Sequence, residues 1–291
     1  MFERVLYPVE FTEVSITCAR ALRELKRYGT REITLFHALE YDSAKLIEGG
    51  IVDVDKFISN LKEKAERKLE DVVKDLSMDF RKVSAKIIAT LDPTLEIAKI
   101  ENNFDLLVIP SSSRSPSFLG KTAEKIVRNS GIPCLVVKSR PDAGKSYYEL
   151  VLRNMFEKPV FVVEKTSKDI AKILESLKQF GLKKVILARI ADLEEALEGK
   201  VSKEEMIHPL VPIPRIVEIL SEYWENEKAE LEKIRRHLDV KGISSETSVS
   251  FGSLEKYLEK ISKLEGFSLV ICGKQIFDKA LKVADAVFVL N

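Results

Sequence analysis

Between Asp105 and Lys138 the sequence runs DLLVIP, SSSRSPSFLGKT, AEKIVRNS, GIPCLVVK. Its middle segment collects what phosphate chemistry needs. Ser111, Ser112 and Ser113 offer hydroxyl donors, Gly120 lets backbone approach an anion, and Lys121 adds positive charge. A helix opening at Thr122 would turn its free amides towards a ligand. Pro110 works against this, because it brings no amide hydrogen to the end of the preceding strand. The plainer alternative is a polar surface loop that caps a helix. Near the C-terminus the unit returns as SLVICGK, QIFDKALKVA, DAVFVLN, with both strands and the helix but almost no loop. Only Lys274 to Ile276 separate Gly273 from the next helix, too few to fold over a phosphate chain. The second half is therefore expected to bind such a ligand weakly or not at all, and to act as scaffold.

Other constellations are weaker. Gly120-Lys121-Thr122 resembles the end of a Walker-type loop, but Ser115 stands where its first glycine is required, and the segment follows a fourth strand rather than an initial one. His37, His208 and His237 are scattered and form no metal spacing. Cys18, Cys134 and Cys272 sit in apolar segments and read as small core residues of a reducing compartment. Pro209, Pro212 and Pro214 read as a rigid helix entry.

These residues need a scaffold, and 291 residues suit two domains. Apolar residues make up 45% of the chain; charged residues make up 32%, yet the net charge is only +1. That balance argues against a nucleic-acid partner. No apolar run approaches the roughly 20 residues that span a bilayer, so no membrane partner is expected. The opening MFERVLYPVE places charge where a signal peptide needs an apolar core, and a cytoplasmic location is expected. Two glutamines against many Lys and Glu lean towards a thermophile.

Strands and helices alternate in two rounds. In the first, strands are expected at Arg4 to Val9, Ile33 to Leu39 (buried on both faces), Val83 to Ile88, Leu106 to Ile109 and Leu135 to Lys138. Thr12 is placed to cap a helix running to Tyr28, with Gly29 ending it. A long helix spans about Asp55 to Leu76, Asp92-Pro93 opens another, and the last runs from Thr122 to Asn129. In the second round, strands are expected at Pro159 to Val163, Lys184 to Ile190, Ile243 to Phe251, Leu269 to Cys272 and Ala286 to Leu290. A capping box at Thr166, a long helix from Ile213 to Leu238 and a cap at Ser253 separate them. Such alternation predicts parallel strands with helices on both faces, and ligands beyond the carboxyl ends at the switch between the first and fourth strands. Domains are expected at residues 1–140 and 146–291, with a linker at Ser139 to Lys145 and a bridging helix at Tyr147 to Phe156.

The opening RVLYPVE, the second strand FHALE, DLLVIP, LGKTAEKIVRNSGIPCLVVK and the tandem repeat together resemble the universal stress protein family. The likeness covers the whole chain and is sharper in its first half. It implies an α/β fold of two tandem doubly wound, five-stranded parallel-sheet domains, the adenine nucleotide alpha hydrolase-like arrangement. Many members bind ATP or AMP through a loop of the form G-x-x-G, nine residues, G-[ST]; others bind no nucleotide. Here Pro110 stands at the first glycine, Ser113 at the second, and Gly120 comes three residues early for the third. Pro8-Val9-Glu10 matches the family's Pro-Val-Asp, whose carboxylate lies near the adenosine, with one more methylene. Ala38 falls where main-chain groups read the adenine edge; neighbouring His37 reads as a core or rim histidine. In the second half Val163-Glu164 keeps the carboxylate, with Val162 in place of Pro.

The resemblance thus implies an adenine-nucleotide site in the first half made by Pro8, Val9, Glu10, Ala38, Ile109, Pro110, Ser111, Ser113, Gly120, Lys121 and Thr122. The shortened loop favours AMP over ATP, and Mg2+ would accompany only ATP. In the family the fifth strands, Cys134 to Lys138 and Ala286 to Leu290 here, sit at sheet edges and pair across a two-fold, which implies an internal pseudo-dimer or a homodimer. With no placed general base, binding rather than turnover is expected, and the protein is read as no enzyme. A nucleotide-free interaction or chaperone-like module is the alternative. A slow ATPase or adenylyl transferase comes third, since the missing glycines and the lack of an SGGxDS loop count against it.

Overall fold

The computed structural model describes residues 2–51, 53–111, 117–164, 169–198 and 213–291. The chain forms two compact units: Met1–Asn154 with Asp285–Asn291, and Met155–Ala284.

In the first unit, strands β1 (Arg4–Pro8), β2 (Glu32–Glu40), β3 (Lys82–Thr90), β4 (Leu106–Pro110) and β5 (Cys134–Val137) lie parallel in the order β3-β2-β1-β4-β5. The helices are α1 (Glu13–Ala21), α2 (Ser43–Glu48), α3 (Val54–Ser77), α4 (Pro93–Ile100), α5 (Lys121–Asn129) and α6 (Lys145–Arg153). The chain moves outward from β1 to β3, then crosses back past β1 to β4. Right-handed crossovers running in opposite directions put their helices on opposite faces. The packing agrees: α1 lies against α3 and α6, while α4 lies against α5. The reversal opens a crevice beyond the ends of β1 and β4.

Local signals act where expected. Thr12 caps α1, its Oγ1 accepting from Ser15 N at 3.1 Å, and Asp92 Oδ1 accepts from Thr94 N at 2.8 Å ahead of Pro93. The helix expected through Tyr28 instead changes to a 3-10 helix over Leu22–Tyr28. Leu22, Leu25 and Tyr28 are its buried residues, and a spacing of three fits three residues per turn. Gly29, at φ 85°, ends it in the left-handed region.

Two expectations change and a third is met. Ser139 to Lys145 is no free linker: Ser139 bonds to Ser111, Arg140 N donates to Tyr148 Oη at 3.0 Å, and Arg140 Nη2 reaches Asp285 Oδ1 at 2.7 Å. Helix α6 does not bridge two halves but belongs to the first unit, which therefore extends beyond residue 140. It buries Tyr148 and Leu152, and its Leu152 and Arg153 carbonyls accept from Tyr28 Oη at 3.0 and 2.5 Å. The two fifth strands do pair with one another: strand β10 (Ala286–Leu290) lies antiparallel to β5, Ala286 opposite Val137 and Val289 opposite Cys134.

The second unit has parallel strands β6 (Val160–Val162), β7 (Lys184–Ala191), β8 (Ser244–Phe251) and β9 (Val270–Gly273) in the order β9-β6-β7-β8. Its helices are α7 (Ile170–Lys178), α8 (Leu193–Leu197), α9 (Ile213–Val240), α10 (Leu254–Leu264) and α11 (Phe277–Val283). Ser253 caps α10 as expected. Thr166, His208, Pro209 and Pro212 lie outside the described residues, and Asp169 precedes α7 without a side-chain cap bond. Among the described residues no helix is long and apolar enough to cross a membrane.

Candidate functional site

Strand β2 outruns β1. The last paired residues are Pro8 and Phe36, and β2 continues to Glu40. Ile33, Leu35 and Phe36 are buried, but Thr34 is half-buried and from His37 onward the strand is half-buried or exposed, so burial on both faces is met only in part. In that gap lies a cavity of about 300 Å³.

The rim on the β1 side is held at several points. Val9 N donates to Phe36 O at 2.8 Å, and Glu10 N donates to Ser15 Oγ at 3.2 Å. His37 Nδ1 lies 2.7 Å from Val9 O. A carbonyl only accepts, so Nδ1 carries the proton. Burial is the main cause that moves the His37 pKa below its ordinary value of 6.5; the bond to Val9 opposes the shift and the Lys68 charge adds to it. The Phe11 ring packs on the imidazole with centroids 4.2 Å apart, from a backbone at φ 52°. These contacts present Pro8, Val9 and the exposed carboxylate of Glu10 to the cavity.

Ala38 follows by strand alternation. Phe36 turns its carbonyl towards β1, so two residues on, the Ala38 amide and carbonyl turn the same way. There β1 has already ended, which leaves Ala38 main-chain groups facing the cavity it lines. Ile109 and Pro110 close the β4 side. Thr122, Ala123 and Ile126 form a one-face stripe of α5, opposite Pro93 and Ile97 of α4.

The structure thus gathers Pro8, Val9, Glu10, Ala38, Ile109, Pro110 and Thr122 around one cavity. Gly120 and Lys121 stand at the exposed start of α5 and do not line it. Gly120 is the N-cap at φ −63° and ψ 154°, with no side-chain cap bond and no atom within 4 Å of where a Cβ would sit. Ser113 lies outside the described residues. Ser111 is a correction. It is buried, its N donates to Val137 O at 2.8 Å, its Oγ accepts from Ser139 N at 2.8 Å and its carbonyl accepts from Ser139 Oγ at 2.5 Å. It continues the β4–β5 pairing into the protein instead of facing a ligand.

Phe36, His37, Glu40, Pro93, Ile97, Ala123 and Ile126 also line the cavity and were not foreseen as site residues. The Asp92-Pro93 helix start could have signalled the α4 wall, since the helix entering β4 must cross the crevice. Among the described residues no group of three or more His, Cys, Asp or Glu is placed to hold a metal ion.

A parallel, doubly wound α/β unit with its crevice between β1 and β4 is the fold of universal stress proteins. The universal stress protein family model matches residues 1–138. The chain is similar to universal stress protein MJ0577 of Methanocaldococcus jannaschii, 26% identical over 158 residues, covering 48% of this chain and 97% of that protein. Universal stress protein G of Salmonella typhimurium is 27% identical over 146 residues, covering 47% of this chain and 100% of that protein. The crystal structure of a universal stress protein from Archaeoglobus fulgidus DSM 4304 covers 99% of this chain and 96% of its own, with a TM-score of 0.69 at 19% identity, a likeness of fold alone.

Proposed function

We propose that the first unit binds an adenine nucleotide in the 300 Å³ cavity and that binding, not turnover, is its activity. The observation that carries this is the convergence of three things on one cavity. Ala38 offers main-chain donor and acceptor for a base edge, the Glu10 carboxylate stands where ribose hydroxyls could donate, and Thr122 lines it from the first turn of α5, a helix that begins without a side-chain cap. The volume is at the low end for small-molecule sites, which favours AMP over ATP; Mg2+ would accompany only the triphosphate.

Calorimetry of the full chain with AMP, ADP and ATP tests the proposal. Saturable binding at one site, strongest for AMP, is expected; no heat and no thermal shift at millimolar nucleotide would end it. A partner-binding module is the second reading, favoured by Leu91, Leu95 and Phe118, which are 71%, 60% and 53% exposed on the segments that open α4 and α5.

A further inference from the structure

The second unit repeats the rim of the first. Val163 N donates to Ala188 O at 2.8 Å, as Val9 N does to Phe36 O. Arg189 Nη1 donates to Val163 O at 3.3 Å, as His37 does to Val9 O. Each clamped valine precedes a glutamate, Glu10 or Glu164, and each glutamate borders a cleft; the second cleft is about 780 Å³. The residue ending the fourth strand of each round differs. In the first unit it is Pro110, without an amide hydrogen, and Glu10 is exposed. In the second it is Gly273, whose N donates to Glu164 Oε1 at 2.8 Å. A Cβ at Gly273 would stand 2.6 Å from that same oxygen, so the absence of a side chain is what lets the carboxylate lie on the backbone.

We infer that Glu164 is a built-in occupant of the second cleft: its carboxylate holds the Gly273 amide that a phosphate monoester would otherwise engage. A carboxylate oxygen and a phosphate oxygen are the same kind of acceptor, and the bonded carboxylate competes from within the chain at no translational cost. Of the other charges bordering the cleft, Glu195 is paired with Arg189, and Asp192 accepts from Glu195 N at 2.8 Å. Glu194 and Lys279 oppose each other in sign. This inference concerns the second unit and stands apart from the first-unit reading.

The test compares Glu164→Ala with its parent by equilibrium dialysis of labelled AMP and of inorganic phosphate, each also in a Gly120→Asp background that silences the first site. Removing the carboxylate should raise affinity at the second cleft by about 10- to 100-fold, the span of one charge-assisted hydrogen bond, and add one bound AMP per chain. Binding of AMP without phosphate would assign the gain to the nucleoside cleft as well as the amide; phosphate binding alone would restrict it to the amide; both are gains at the vacated place. The Gly273 amide resonance should move on adding either probe only in Glu164→Ala. Glu164→Gln keeps an acceptor on Gly273 and should stay shut. The inference is overturned if folded Glu164→Ala binds no more of either probe than its parent, or if Glu164→Gln opens as fully as Glu164→Ala, since charge rather than occupancy would then be responsible. Failure of the first site alone would show as an unchanged count in Gly120→Asp and leaves this comparison intact.

Discussion

Gly120→Asp should tighten the fold and loosen the ligand. Gly120 already has the extended φ and ψ of an N-cap, and nothing lies within 4 Å of a new Cβ. An aspartate there can accept from the first amides of α5, which makes it a better cap than glycine by a few tenths of a kcal/mol, roughly. Its charge at the positive end of that nine-residue helix adds about 0.3–1 kcal/mol. A net gain of about 0.5–1.5 kcal/mol follows. The same carboxylate faces any phosphate held by α5. At a separation of about 5 Å and an effective dielectric of about 20, two like unit charges repel by about 3 kcal/mol, or about a hundredfold in Kd. Calorimetry with AMP and thermal unfolding of the same preparations read both effects. A raised melting temperature with unchanged affinity would place the phosphate away from α5. A fall in both would mean that Gly120 is needed by the fold, against the open space around it.

Two further outcomes follow from the first unit. Ser111→Ala should cost about 1–3 kcal/mol in denaturant unfolding, because Ser139 N loses its acceptor in a buried place, while AMP affinity stays as in the parent; a large loss of affinity at unchanged stability would return Ser111 to the ligand. The depressed His37 pKa means that the unfolded chain takes up a proton near pH 6.5 before the folded chain does. Stability should therefore fall as pH drops from 6.5 through the lower folded value, and His37→Asn should flatten that part of the stability–pH curve; an unchanged curve would remove His37 as its source.

Helix starts were legible because a cap is decided within four residues. Thr12, Asp92 and Ser253 cap the helices their spacing promised. Strand types were legible for a similar reason, since alternation of strand and helix permits few arrangements. The cavity's β1 and β4 rims could be foreseen from the ends of those strands. Of its helical walls only Thr122 of α5 was foreseen and the Asp92-Pro93 start hinted at α4; which other helix residues lean over the crevice depends on packing across the crossover. Ser111 looked like a ligand donor by composition, yet its partner Ser139 is 28 positions away along the chain, beyond any local pattern.

The sequence alone determined the alternation, the caps, the repeat, and the glycine, serine and carboxylate positions that make a phosphate-type site conceivable. Only the tertiary structure decided which of them meet. β2 outlasts β1 and so turns Ala38 into an open main-chain edge. β5 and β10 pair, and so close what a single repeat would leave as an edge. Gly273, with an amide hydrogen and no side chain, holds the Glu164 carboxylate, whereas Pro110 has no amide hydrogen to donate and Glu10 is exposed. These are contacts between residues far apart in the chain, and they exist only once the sheet has set its strand order.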